Sequence, residues 1–292
     1  MKIPTEVLVA RTSEGGLRAA VNRLLAGLAL PAEARQIALK LNLCDYRRAE
    51  TGVTSDPQAV DALLSELRQR YPRARLVLCE NDSSAVLVDN IWGYLGLDAV
   101  AARHGAECVN LQHGEWRRVP VCGLRFDAIE LPALLLDSDL VVNHPKLKTH
   151  GRTIMTCTLK NLFGCYRPRD KKQFHQFLDQ AIVDINLALK PALTIVDAIC
   201  CVEGNRGPTQ GLPKKLGLLV AGSDPVAVDA FCARLMGLRP WMVGHLRLAA
   251  RAGVGSLNYR LAGDKLEERD RAGFRWSWTR YFLMQALRRA TT

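Results

Sequence analysis

Apolar runs of strand length alternate with stretches of helical period along most of this chain, which is the pattern of a largely parallel sheet with helices packed on its faces. Strand-length runs cover 6–10, 36–41, 75–80, 107–111, 139–143, 192–198 and 216–222, and helical periodicity covers 16–28, 57–70, 98–104, 171–189 and 225–236. Two of the helices carry start signals: Asp56-Pro57 and Asp224-Pro225 each place a capping carboxylate before a proline at the first helical position. Within 171–189, Phe174, Phe177, Leu178, Ile182, Ile185 and Leu189 fall on one stripe, so this helix lies against a core. The alternation breaks near 112–138, where Gly114, Gly123 and short β-like runs mark a subdomain junction. The expected fold is α/β, a largely parallel sheet with helices on both faces, open to division into two intertwined subdomains. Residues 1–240 read as a single α/β domain and 241–292 as a basic, aromatic, helical C-terminal extension.

Composition narrows the class. A chain of 292 residues, 48% hydrophobic and 24% charged, has ample material for a buried core. No apolar run approaches the roughly 20 residues that span a bilayer, and the first residues lack a charged-then-apolar signal pattern, so a cytoplasmic protein is expected. The nine cysteines include no Cys-x-x-Cys pair and read as reduced thiols, mostly small buried hydrophobes.

The net charge of +11 is concentrated in two places. From Asn143 to His175, eight Lys/Arg face the single acid Asp170, a local charge of +7 that calls for an anion. From Arg234 onward, twelve Lys/Arg face four acids and are interleaved with Trp276, Trp278, Tyr281 and Phe282. Such a tail suits nucleic acid or an anionic membrane surface, or simply a solvated face of a packed helix.

The first of these segments carries the chemistry. The strand at 139–143 runs into His144-Pro145-Lys146-Leu147-Lys148-Thr149-His150, and Thr153 to Gly164 reads TIMTCTLKNLFG. Ligands of open α/β sheets collect beyond the carboxyl ends of strands, and this loop leaves one such end. If the stretch is extended, Lys146 and Lys148 alternate about Leu147 and send their ammonium groups to the same side. Lys160 follows with Asn161, whose amide both donates and accepts, and a phosphate or carboxylate is the natural occupant of such a cluster. His144, His150 and His175 share the stretch and raise a metal site, although their spacing matches no metal motif and adjacent lysines oppose a cation. Acid/base work by His150 or His175 fits better, because nearby ammonium groups keep an imidazole neutral near pH 7.

Other strand ends offer polar groups to the same region. Lys40 and Asn42 end the second strand, and Glu80, Asn81, Asp82 and Ser83 follow the third, where turn chemistry accounts for Asp82-Ser83 equally well. Residues 200–211 contain Glu203 and three glycines, whose backbone can approach a ligand closely. Asp224 reads as a helix cap or as part of the site. Asp229, between Val228 and Ala230, is a part-buried carboxylate whose partner would be one of these lysines. Neither a phosphate-binding P-loop nor a dinucleotide fingerprint is present, so the cofactor, a metal included, stays open.

Taken in order, Asp139 to His150 (DLVVNHPKLKTH), Thr158 to Gly164 (TLKNLFG), Asp197 in IVDA, Gly207-Pro208 and Ser223 to Asp229 (SDPVAVD) resemble the family called domain of unknown function 362. The resemblance runs over roughly residues 36–237, and Lys40-Leu41-Asn42 is similar to the family's early Lys-x-Asn element. It implies an α/β protein of unestablished activity, centred on the Lys-x-Lys-Thr-His and Lys-Asn elements. Some members carry a ferredoxin-like segment with clustered cysteines. This chain has no such cluster, so an iron–sulfur centre would belong to a separate redox partner. In overall organisation alone, the chain is similar to the amino-terminal domain of lactate racemase-type enzymes, which implies an enzyme acting on a small carboxylate.

The leading expectation is an enzyme that binds an anionic small molecule or cofactor in a cleft at the strand ends. Lys146, Lys148 and Lys160 would hold the anion, Asn161 would orient it, and His150 or His175 would move a proton. Lys40, Asn42, Glu203, Asp224 and Asp229 would complete the lining. Replacing Lys148 or Lys160 by Met would then abolish binding and leave stability nearly unchanged. The rivals are a non-catalytic cofactor carrier or electron-transfer partner of an iron–sulfur protein, and a binder of nucleic acid or anionic membrane acting through the tail.

Overall fold

A computed structural model of the chain describes residues 5–204, 209–268, 270 and 273–276. Its strands are β1 (Thr5–Arg11), β2 (Gln36–Lys40), β3 (Arg75–Glu80), β4 (Ala106–Asn110), β5 (Trp116–Pro120), β6 (Ala128–Pro132), β7 (Leu140–Asn143), β8 (Lys146–His150), β9 (Ile154–Thr156), β10 (Leu193–Glu203), β11 (Leu212–Gly222) and β12 (Tyr259–Gly263). Its helices are α1 (Gly16–Ala26), α2 (Pro57–Arg70), α3 (Val88–Tyr94), α4 (Leu97–Arg103), α5 (Ala133–Leu136), α6 (Thr158–Leu162), α7 (Leu178–Ala188), α8 (Pro225–Leu235) and α9 (Gly244–Arg251). All seven strands expected from the apolar runs are present. Among the described residues no helix is long and apolar enough to cross a membrane.

Ten strands make one sheet, whose main path runs β12-β1-β11-β10-β7-β2-β3-β4. Only β11 runs antiparallel to its neighbours β1 and β10 on this path, and every other pair is parallel. Strand alternation sorts the core into two layers. Leu8, Ile37, Leu39, Leu76, Leu78 and Leu140 face α1, α2, α3 and α4, whereas Val7, Val9, Ala38, Val77 and Val141 face α6, α7, α8 and α9. Both faces are therefore covered, and near-continuous apolar strands are the consequence.

The sheet opens where β7 gives way to β8. At its end β7 lies between β2 and β10, with Lys40 opposite Asn143 and Thr194 opposite Asn143. The His144 amide still donates to the Lys40 carbonyl (2.8 Å), but Pro145 interrupts the ladder, and β8 then continues along β10 with Lys146 opposite Asp197. Meanwhile β2 turns away toward β3, where the Leu41 amide donates to the Cys79 carbonyl. The chain from Lys146 to His150 is thus a strand, paired on its other side with β9, and a gap opens between β8 and the ends of β2 and β3.

Residues 112–138 hold β5 and β6, a separate two-stranded antiparallel sheet, and the chain then returns to the main sheet as β7. Two organisational expectations need correction. The main sheet does not end at residue 240. β12 pairs in parallel with β1, from Thr5 opposite Tyr259 to Val9 opposite Gly263. The Arg11 amide donates to Asp264 (2.8 Å), and the buried Arg11 guanidinium pairs with the buried Asp270. Finally, the helix expected over 171–189 begins as a 3-10 turn, Lys171–Phe177, before α7. That tighter winding sends Phe174 and Phe177 together into a cluster with Phe126, whose ring centroid lies 6.2 Å from Phe174 and 5.7 Å from Phe177. Gly207-Pro208, Trp278, Tyr281 and Phe282 lie outside the described residues.

The start of α8 shows how little of Asp224 is left for a ligand. Its carboxylate accepts from the Val226 and Ala227 amides (2.8 and 3.0 Å), and from the Ser256 amide (2.8 Å) beyond α9. Asp224→Ala is expected to lower unfolding free energy by about 1–2 kcal/mol, the range of a lost helix cap, in urea titrations. It should leave any anion binding in the cleft unchanged.

Candidate functional site

The gap between β8 and the ends of β2 and β3 is a cleft of about 220 Å³, closed on its remaining sides by α6 and the 3-10 turn before α7. Lys40, Asn42, Lys148, His150, Lys160, Asn161 and His175 all line it, although they come from four separate parts of the chain. Glu80, Asn81, Asp82, Phe163, Gly164 and Lys171 share the wall. The lining holds four lysines against two carboxylates, so the cleft is net cationic.

Inventory of donors and acceptors separates scaffold from free groups. Lys40 Nζ reaches Glu80 Oε1 at 2.6 Å and the Leu41 carbonyl at 2.8 Å. Burial works against its charge, but Glu80 outweighs that and holds the ammonium above its ordinary range. Glu80 also accepts from the Leu43 and Asn81 amides (3.0 and 2.9 Å). Gly164 closes over this pair, and a Cβ there would stand 3.3 Å from both Lys40 Nζ and Glu80 Oε1. Lys148, 1% exposed, donates to Asn42 Oδ1 (2.7 Å), the Val53 carbonyl (2.9 Å) and Cys44 Sγ (3.1 Å), so its three protons are committed. The loop bearing Val53 is seated by Gly52, at φ +78°, where any Cβ would collide with the Cys201 carbonyl.

Asn161 is committed as well. Its Nδ2 donates to Asn143 Oδ1 (2.7 Å) and the Leu41 carbonyl (3.3 Å), and its Oδ1 accepts from Asn42 Nδ2 (2.8 Å). This amide chain ties β2, β7 and α6 together and leaves Asn161 no proton with which to orient an anion, contrary to expectation. For the same reason Lys148→Met is expected to cost stability, since it would strand the buried Asn42 and Val53 acceptors.

Lys160 differs from every other lysine in the cleft. Among the described residues its ammonium has no carboxylate and no hydrogen-bond acceptor, and it sits 4.3 Å from the centroid of the Phe163 ring. Burial first, and then the Lys148 ammonium, bring it down to about 8. Burial likewise brings Lys171 down to about 8, but Lys171 donates to the Tyr166 and Pro168 carbonyls.

His150 accepts at Nδ1 from the Arg152 and Thr153 amides (3.1 and 3.3 Å), which assigns its ring proton to Nε2. Burial, followed by Lys160 and Lys148, holds it well below 6.5, so it is neutral at pH 7. Ile154, opposite His150 in the β8–β9 hairpin, has φ +67°, a strained conformation for a β-branched residue.

Several expected members stand apart from this cleft. Lys146 is fully buried and paired with the equally buried Asp197 (2.9 Å) instead of facing a ligand. Burial opposes the Asp197 charge, but Lys146 outweighs it and keeps the carboxyl below its usual range. His144 is buried too, its Nδ1 2.7 Å from the Ile195 carbonyl. Glu203 accepts from the Arg275 amide (3.0 Å) and pairs with its guanidinium. The partner of Asp229 is no lysine: its carboxylate accepts from the Thr158 and Leu159 amides (2.8 and 3.1 Å) and anchors the first turn of α6. Sequence reasoning passed over Lys171 and Phe163, and His245, fully buried 3.6 Å from Asp179 and opposing charge on His150. Among the described residues no group of three His, Cys, Asp or Glu side chains is placed to hold a metal.

Fold and cleft together define an α/β protein with a cationic site at the carboxyl ends of its parallel strands. The chain belongs to the family described as Domain of unknown function (DUF362), whose profile matches residues 37–234. It is also similar to the Thylakoid-associated protein sll1697 of Synechocystis sp., at 34% identity over 136 residues, 44% of this chain and 42% of the relative. The match thus spans less than half of that relative's length. Among solved structures, it is similar to the lactate racemase apoprotein from Thermoanaerobacterium thermosaccharolyticum (13% identity, TM-score 0.45, covering 81% of this chain and 58% of the other). A protein from Thermotoga maritima gives 14% identity and a TM-score of 0.46, covering 77% of this chain and 59% of the other.

The Lys146–Asp197 pair yields a test of its structural role. Lys146→Met leaves a buried carboxylate without its cation and is expected to cost about 3–5 kcal/mol in urea unfolding. Lys146→Met with Asp197→Leu should recover much of that loss, whereas a single-variant cost below about 1 kcal/mol would show that the charge is not confined as described.

Proposed function

We propose that this protein is an enzyme that binds a small phosphorylated or carboxylate compound in the cleft, with Lys160 supplying the free positive charge. The observation that carries the proposal is the donor inventory: Lys40, Lys148 and Lys171 all have acceptors in the protein, and Lys160 has none among the described residues. An ammonium in a half-buried site without an acceptor is stabilised by an anion that arrives from solution. The remaining lysines contribute field more than contact. His150, neutral with its proton on Nε2, is the group in the wall suited to donate to an anion's oxygen or to take part in proton transfer. His175, which also lines the cleft, is a second candidate for that transfer.

Calorimetric titration with inorganic phosphate and with oxalate tests the proposal. Wild type is expected to bind at least one of the two, and Lys160→Met to lose tenfold or more in affinity. The variant should melt no earlier, since its lysine carries a charge that burial disfavours at every pH below about 8. Affinity in wild type should fall as pH rises through about 8, where the Lys160 ammonium loses its proton. Unchanged binding in Lys160→Met, or no binding of either anion by wild type, would overturn it.

A further inference from the structure

We propose that the Lys160 amine is a covalent nucleophile that forms an imine with the carbonyl group of a small anionic aldehyde or 2-oxo acid bound in this cleft. The inference rests on the anion-binding reading above and adds to it a substrate class and a bond. Three features of geometry support it. The Nζ has neither a hydrogen-bond acceptor nor a donor against it among the described residues, so its lone pair, once the proton is lost, is not engaged by the protein. The start of its helix is held in place: Asp229 accepts from the Thr158 and Leu159 amides, and Asn186 Nδ2 donates to the Leu159 carbonyl (2.9 Å). On its inner side the amine meets the Phe163 ring, which supplies apolar surface and no competing proton acceptor of comparable strength.

The charged surroundings favour the reactive form. Lys148 on β8, Lys171 on the 3-10 turn and Lys40 on β2 all oppose a proton on Lys160, the neighbouring Cys44 favours one, and of the two carboxylates in the wall Glu80 is occupied by Lys40 and Asp82 by Arg169. At about 8 the amine is free of its proton in roughly a tenth of molecules at pH 7, hundreds of times more often than an ordinary lysine. The same ammonium groups attract the carboxylate or phosphate of the substrate, so one cluster both selects an anion and activates the amine.

The step balances without an oxidant or a cofactor. The amine lone pair attacks the carbonyl carbon while the π pair moves to oxygen, where the His150 Nε2–H is available as a hydrogen-bond donor. The carbinolamine then expels that oxygen as water. Both amine protons leave in the water, and a C=N bond to Lys160 remains.

The test is reductive trapping. Full-length protein is incubated with glyoxylate and cyanoborohydride at pH 8, and the adducts are mapped by peptide mass spectrometry. A carboxymethyl group is expected on Lys160 at least tenfold faster than on the exposed Lys172, slowed by inorganic phosphate and absent from Lys160→Arg. Lys160→Arg keeps the positive charge and should still bind phosphate. Phosphate binding with no preferential adduct on Lys160 would overturn the imine and leave the anion site standing. Absence of the adduct together with no binding of either phosphate or oxalate would overturn the two together.

Discussion

A buried ammonium group needs acceptors for three protons, and much of the architecture at the strand ends follows from meeting that demand. Lys40, Lys146 and Lys148 are all 1% exposed or less. Each is matched by a different device: a carboxylate from the neighbouring strand, a carboxylate from β10, and a set of amide, carbonyl and sulfur acceptors from the loop after β2. Removing one partner would leave the other desolvated and alone, which is why such groups act together. Lys160 stands at the edge of this arrangement, and its want of an acceptor is informative because every lysine around it has at least one.

Topology puts these groups in one place. Pro145 ends the pairing of β7 with β2, and β8 carries on along β10 with β9 on its other side. The space left between the diverging strands becomes the cleft. Its floor is fixed from two directions, by the Asn42–Asn161–Asn143 amide chain and by Asp229 reaching across from α8 to the start of α6. A strained Ile154 next to the His150 turn adds to the view that this end of the sheet is shaped for more than stability.

Much of this was legible in the residues. Alternating apolar runs locate the strands because both sheet faces are buried, and Asp56-Pro57 and Asp224-Pro225 mark helix starts because the caps are local chemistry. The basic stretch from Asn143 to His175 supplies half of the cleft wall. What sequence spacing could not supply is the pairing of charges distant along the chain. Lys146 and Lys148 look equivalent in an alternating strand, yet one meets Asp197 and the other Asn42 and Val53. Asp229 invites a lysine partner, yet two backbone amides satisfy it. The strand β12 falls within the segment read as a helical extension, and its place beside β1 depends on contacts more than 250 residues apart in sequence.

The most direct measurement is nitrogen NMR of the lysine ammonium groups across pH, with the Lys160 signal assigned by its loss in Lys160→Arg. The expected result is a Lys160 titration near 8 that moves upward when phosphate is added. A titration at the ordinary value of 10.5, unmoved by phosphate, would contradict both the free amine and the anion site built around it.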